Sequence, residues 1–228
     1  MQIYEIFKSV DNDGTRIGFQ TTFIRTFSCN LNCSYCDADY CVNPESDEDL
    51  TGFIVMDVEE IMAAVEENGL RYVKILGGEP LLQRDCPELV AALLDAGYYV
   101  TVETQGKSDI ATFEDKMVDI LADDELLNNL VYVLDYKCPN SGMHGEMNTA
   151  NINFLIDNDV IKFVVSDATD IAFVKDIVEH YEPLAELFVT PYNMEGSDLV
   201  TLVQGTDIGK VRVQLDLCKE IYGEDMHV

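Results

Sequence analysis

The sequence predicts an α/β fold on a mainly parallel sheet, and three observations carry that prediction. Short apolar runs of strand length alternate with stretches of helical periodicity. The stretches between the runs are long enough for crossover helices, and such crossovers are right-handed and make neighbouring strands parallel. The runs also end in polar or glycine-rich groups: Gly77-Gly78-Glu79-Pro80, Glu103-Thr104-Gln105-Gly106, Asp135-Tyr136-Lys137 and Ser166-Asp167.

In chain order, residues 2–8 form a first strand. Asp11-Asn12-Asp13-Gly14 is a turn by its residue chemistry, and residues 18–27 return as the second arm of a hairpin. Asp57 caps a helix to about residue 68, since Val58, Ile61, Met62 and Val65 fall at helical spacing and Gly69 follows as a stop. The next strand is 72–76, followed by a helix over about 86–96, stopped by Gly97, and a strand at 98–102. A helix begins near Ile110. Strands follow at 130–134 and 160–165, then a helix to about Tyr181 and a strand at 187–190.

In parallel α/β folds the carboxyl ends of the strands carry the sites. Glu79, Glu103, Gln105, Asp135, Lys137 and Ser166 are therefore the first candidates. Each has a plainer reading: the Gly-Gly-Glu-Pro group as a tight turn, Lys137 as a solvated lysine, Asp135 as a cap. Their joint placement at one edge favours the functional one.

The 228 residues are 47% hydrophobic, enough for one core, and no linker composition marks a boundary, so a single domain spanning 1–228 is expected. No apolar run approaches membrane-spanning length, and the start Met1-Gln2-Ile3-Tyr4-Glu5 lacks a signal-peptide pattern. A cytoplasmic protein without membrane contact is expected. With 43 acids against 14 bases the formal charge is −29, which repels phosphate backbones and argues against direct nucleic acid binding. Acidic runs such as 45–49 and 123–125 read as solvated faces.

Seven cysteines argue for reduced thiols and a metal site rather than a disulfide framework. Three of them, Cys29, Cys33 and Cys36, stand at C-x3-C-x2-C spacing just after the apolar run 22–27, within a loop spanning 28–41. Three thiolates can hold three corners of a [4Fe–4S] cluster and leave one iron open. A zinc site with Cys41 as fourth ligand is the competing reading. Cys86, Cys138 and Cys218 read as ordinary thiols. On these residues alone cluster, zinc and coincidence stay open.

The cysteine triad followed by Gly77-Gly78-Glu79-Pro80 resembles the radical S-adenosylmethionine superfamily. Within it the chain most resembles the 7-carboxy-7-deazaguanine synthase family. The resemblance rests on Glu5-Ile6-Phe7 through Gly18 to Phe23-Ile24-Arg25-Thr26, on Cys36-Asp37, on Glu103–Gly106, and on Asp135 to Met143. It implies a compact, incomplete (β/α)6-type barrel with an N-terminal hairpin. It also implies a [4Fe–4S] cluster on Cys29, Cys33 and Cys36, and S-adenosylmethionine bound by Tyr35, Gly77, Gly78, Glu79, Glu103, Lys137 and Ser166. Substrate contacts would come from Gly14, Arg25, Thr104 and Gln105, and a Mg²⁺ site from Asp37.

The implied reaction converts 6-carboxy-5,6,7,8-tetrahydropterin to 7-carboxy-7-deazaguanine with loss of ammonia, in queuosine-type 7-deazapurine biosynthesis. A homodimer and a flavodoxin or ferredoxin electron donor are typical of such enzymes.

Three departures stand out. Asp13-Gly14 replaces the family's Gly-Glu-Gly turn. Ala38 replaces a Thr or Ser whose hydroxyl helps hold magnesium. Leu217-Cys218-Lys219-Glu220-Ile221-Tyr222 replaces a Gln-x-His-Lys-x-x-Trp pattern and loses its histidine. Within the superfamily the second reading is a glycyl-radical-type activase acting on a protein, and the missing histidine and Ala38 keep a third in view, a non-catalytic cluster- or zinc-binding module.

Overall fold

A computed structural model describes residues 1–36, 38 and 52–222. Asp37 and Cys41, singled out above, lie outside the described residues. The chain enters through β1 (Gln2–Val10) and β2 (Gln20–Thr26), an antiparallel hairpin, with the short β3 (Ile54–Val55) added on the outer side of β1. From β2 onward every pairing is parallel: β4 (Tyr72–Gly77), β5 (Tyr99–Thr104), β6 (Leu130–Asp135), β7 (Val160–Val165), β8 (Glu186–Pro191) and β9 (Val211–Val213). The sheet order is β3-β1-β2-β4-β5-β6-β7-β8-β9, open between β3 and β9 as the incomplete barrel requires.

The helices are α1 (Val58–Asn68), α2 (Cys86–Asp95), α3 (Ile110–Val118), α4 (Ala150–Phe154), α5 (Ala168–Tyr181), α6 (Gly196–Gln204) and α7 (Leu217–Tyr222). Local chemistry sets several of their ends. Asp57 and Glu60 form a reciprocal capping box at the start of α1, and Gly69 closes it at φ 69°. Asp167 caps α5 by accepting from the amides of Thr169 and Asp170. Strand β9 and helices α6 and α7 do not appear in the periodicity reading. Their apolar stretches are short, and β9 holds its place through pairing with β8.

Strand alternation divides the buried residues between two faces. Ile24, Val73, Ile75, Val100, Val102, Leu134, Ile161 and Phe163 pack under the helices in one large core with Ile61, Leu89, Leu93, Phe113 and Val174. Each such side chain contributes roughly 1.5–3 kcal/mol on burial. The residues between them face the concave side. Val131, Val133, Val160 and Phe188 form a small apolar floor there. Above it stand Lys74, Glu103, Asp135 and Lys162. The β1–β2 turn tucks in beneath: Gly14, at φ 70°, lies close to Val133 and Val160, and its amide donates to Gln214 Oε1 at 2.8 Å.

Candidate functional site

The site begins where β2 ends. Ser28 adopts φ 75° and turns the chain into Cys29. The turn after β4 is stitched to this point: the Gly78 amide donates to Thr26 O at 2.9 Å and the Glu79 amide to Ser28 O at 2.8 Å. A Cβ on Gly78 would stand 2.1 Å from Ser28 O, and one on Gly77 2.5 Å from Thr26 O, so only glycine permits this approach. The loop is tied on its other side through Ser34, whose amide donates to Ser141 O at 3.0 Å and whose hydroxyl donates to Asn140 O at 2.6 Å.

Cys29, Cys33 and Cys36 are all partly buried on this loop, with the Cys36 amide donating to Cys33 O. Burial pushes the Cys33 thiol up to about 11; Lys137 pulls it down, while Asp135, Cys36 and Cys29 add to the rise. Three thiols close enough to perturb one another favour exchange of their protons for metal, and this donor set fits a cluster held at three corners. Cys86 and Cys138 are fully buried and stand apart from the triad.

Glu79 is completely buried. Burial raises its carboxyl to about 7, against the amides of Gln105 and Leu81 and the hydroxyl of Thr104, which donate to it at 2.8, 3.0 and 2.8 Å. Lys137 is also buried, its Nζ 2.9 Å from Asp135 Oδ2 and 5.6 Å above the Tyr35 ring. Burial opposes its charge, yet Asp135 and the Cys33 thiol raise its pKa on balance. Ser166 donates its amide and hydroxyl to Asp170 Oδ2, both at 2.9 Å, while Asp170 Oδ1 accepts from the Asn140 amide at 3.0 Å. Tyr35 OH and Asp135 Oδ1, and Thr190 Oγ1 near the end of β8, are buried without hydrogen-bond partners among the described residues. Buried polar atoms of this kind mark places where a ligand or ion belongs.

The structure thus gathers Cys29, Cys33, Tyr35, Cys36, Gly77, Gly78, Glu79, Lys137 and Ser166 at the C-terminal rim of the strands. Four of the expected contacts fall elsewhere. Thr104 points to the helix side and is engaged with Glu79, and Gln105 ties the rim together, donating from Nε2 to Asn30 Oδ1 at 2.7 Å. Neither presents a side chain to a substrate on the concave face. Gly14 lies at the opposite end of the strands, under the floor. Glu103 lies on the concave face below the rim, both oxygens paired with lysines: Lys74 at 3.1 Å and Lys162 at 2.6 Å. Arg25 does face the concave side, 2.6 Å from Glu5 and stacked 4.9 Å from the Phe7 ring.

Sequence reasoning missed Lys74, Lys162, Asp11, Asp13 and Asp170. For the two lysines a signal existed: each interrupts an otherwise apolar parallel strand, YVKIL and VIKFVV, where a charge cannot be buried without partners.

Comparison with known proteins agrees with this geometry. A family model described as the radical SAM superfamily matches residues 23–133. The 7-carboxy-7-deazaguanine synthase of Methanospirillum hungatei is 34% identical over 226 residues, covering 97% of this chain and 85% of that one. That of Clostridium acetobutylicum is 30% identical over 226 residues, covering 97% and 96%. The crystal structure of QueE from Escherichia coli shares the fold, with a TM-score of 0.71 over 94% of this chain and 92% of that one at 17% identity. With near-complete coverage on both sides at this identity, the chain belongs to the 7-carboxy-7-deazaguanine synthase family of radical SAM enzymes.

Proposed function

We propose that the protein converts 6-carboxy-5,6,7,8-tetrahydropterin to 7-carboxy-7-deazaguanine with loss of ammonia, as a single-domain enzyme of 7-deazapurine biosynthesis. The observation that carries this reading is the placing of a three-thiol loop over a concave face that holds both cations and carboxylates. A flat substrate with one carboxylate and one donor-rich edge needs both.

When bound, the cluster would supply one-electron reduction of S-adenosylmethionine, chemistry that no side chain can provide. The protein's own part is positioning. Cys29, Cys33 and Cys36 hold the cluster, and Tyr35, the Gly77-Gly78-Glu79 turn, Lys137 and Ser166 take S-adenosylmethionine. Glu79, its carboxyl kept near neutrality by burial, accepts from the methionine ammonium. Tyr35 OH and Ser166, whose hydroxyl oxygen keeps acceptor capacity, would offer the cofactor further polar contacts.

On the concave face Arg25 offers a planar fork to the substrate carboxylate. Glu103 accepts from the guanidine-like edge of the pterin. Ala38 has no side-chain oxygen, so a magnesium ion here draws on Asp37 and on ligand oxygens. A flavodoxin or ferredoxin donor and a homodimer complete the reading.

The test is anaerobic reconstitution with iron and sulfide, then incubation with S-adenosylmethionine, reductant and the carboxytetrahydropterin, with and without Mg²⁺. 7-Carboxy-7-deazaguanine, identified by mass, is the expected product. Release of 5′-deoxyadenosine without it would move the substrate elsewhere, and no release at all would favour the non-catalytic module.

A further inference from the structure

The concave face carries a closed ring of alternating charge. Lys74 Nζ contacts Asp13 Oδ1 and lies 3.1 Å from Glu103 Oε2; Lys162 Nζ lies 2.6 Å from Asp13 Oδ2 and 2.6 Å from Glu103 Oε1. Each ammonium bridges both carboxylates, and each carboxylate is held through both of its oxygens. Asp11 adds a third partner to Lys74 at 3.1 Å, and Asp135 stands 3.9 Å from Lys162. Lys74 is 0% exposed.

Two features give this ring a direction. Asp13 and Asp11 come from the turn beneath the sheet, so Lys74 is anchored from below and braces Glu103 from that side. Counting Lys137, three ammonium groups face four carboxylates, a formal excess of one negative charge. The ring therefore favours the donor edge of a ligand over its acidic end, which leaves the ligand's carboxylate for Arg25. A carboxylate has about four acceptor positions; the two lysines take one on each oxygen of Glu103 and fix its plane.

Resting on the pterin reading above, we infer that Lys74 is a positioning residue for substrate selection: by bracing Glu103 Oε2 against the Asp11–Asp13 turn, it fixes the carboxylate that accepts from the 2-amino edge of the pterin. Lys74 does not itself touch the substrate. Without it Glu103 is held by Lys162 alone, through one oxygen, and its plane is free to turn.

The test uses reconstituted enzyme with S-adenosylmethionine and no reductant, and reads binding of two fluorescent probes, 6-carboxypterin and 6-carboxylumazine, which lacks the 2-amino group. Wild type should prefer the pterin at least tenfold, because a missing donor leaves a buried acceptor without a partner. Lys74→Met should weaken 6-carboxypterin about tenfold and lower that preference to less than threefold. Lys74→Arg should restore the preference. In a Glu103→Gln background, Lys74→Met should add less than twofold, since the carboxylate it braces is gone.

Iron bound per chain reports folding of each variant, and Lys74→Gln, which keeps a donor and the stem, serves if the methionine variant loses its cluster. Wild-type preference in the folded Lys74 variants, or additive losses in the Glu103→Gln background, would overturn the inference alone. Wild type that binds neither probe would overturn the pterin reading and this inference with it.

Discussion

The rim and the ring beneath it lie on one sheet but are built on opposite plans. The rim is held by backbone hydrogen bonds between short segments, Gly78 to Thr26 and Glu79 to Ser28, and leaves Tyr35 OH and Asp135 Oδ1 without partners among the described residues. In the ring, Asp13 and Glu103 each have both oxygens paired with lysine. A region with unsatisfied buried groups gains by taking up a ligand. A region whose charges are already paired holds its geometry and loses when one member is removed, and what it can offer a ligand is the acceptor positions Glu103 keeps beyond its two lysines. The difference separates where a cofactor binds from what keeps the face beneath it in shape.

The sharpest way to break the rim is Cys33→Ala. It removes one of three cluster corners and none of the ring. Reductive release of 5′-deoxyadenosine should fall more than about a thousandfold, with iron per chain well below wild type. Denaturant unfolding of the cluster-free protein should stay within about 0.5–1.5 kcal/mol, since the half-buried thiol contributes little packing. Full cluster loading in this variant would remove Cys33 from the ligand set.

The ring breaks the other way. Lys162→Met leaves Asp13 and Glu103 buried with one cation between them, and such an uncompensated charge costs about 3–5 kcal/mol. The loss should appear in urea unfolding of the cluster-free protein. A loss under 1 kcal/mol would mean that water reaches the ring and screens it.

The same contrast explains what could be read in advance. The rim motifs are runs of consecutive residues, Cys29 to Cys36 and Gly77 to Pro80, and a strand ending in a tight turn places them without knowledge of the rest. The mainly parallel character of the sheet followed from alternation alone, and its order did not. The ring is different: Asp13 meets Lys162 across 149 positions and Lys74 across 61, so no local window contains it. The faces of Thr104 and Gln105 were not legible for a related reason. Position at a strand end fixes height on the sheet, while the face is set by period-2 register, and one residue of offset turns Thr104 to the face opposite Glu103, where its hydroxyl donates to Glu79 at the rim.

Acid and base should divide the two regions as well. Glu79 has its folded pKa raised by burial, so its contribution is full below the ordinary carboxylate range and is lost as pH rises through about 7. Between the ordinary value of 4.5 and about 7 the difference is on the order of 3 kcal/mol. Asp13 runs opposite: burial raises it, but Lys162 and Lys74 outweigh burial and hold it far below its ordinary value. Its contribution is present at all pH above the ordinary Asp range and is lost only in strong acid. Urea unfolding of the cluster-free protein from pH 4.5 to 8 should show Glu79→Gln removing part of the decline, while Asp13→Asn lowers stability evenly. Parallel curves for wild type and Glu79→Gln would put water beside the Glu79 carboxyl.

The smallest effect belongs to the one residue that touches neither the rim's backbone stitching nor the ring. Arg25 sits on the concave face of β2, paired with Glu5 at 2.6 Å, its guanidinium 4.9 Å from the Phe7 ring. Glu5 and Phe7 both belong to β1, so Arg25 is oriented by the hairpin and independently of Lys74 or Lys162. Arg25→Ala should therefore leave cluster content at the wild-type level and cost on the order of 1 kcal/mol in stability, because the part-buried pair leaves Glu5 32% exposed and within reach of water. Its effect should appear in the KM for the carboxytetrahydropterin, raised about tenfold for the loss of one charge-assisted contact, with kcat nearly unchanged. Arg25→Lys should recover only part of this, since an ammonium offers no planar fork. A KM equal to wild type in both variants would assign the substrate carboxylate to Lys137 instead, and would make the rim, rather than the hairpin, the anchor of both ligands.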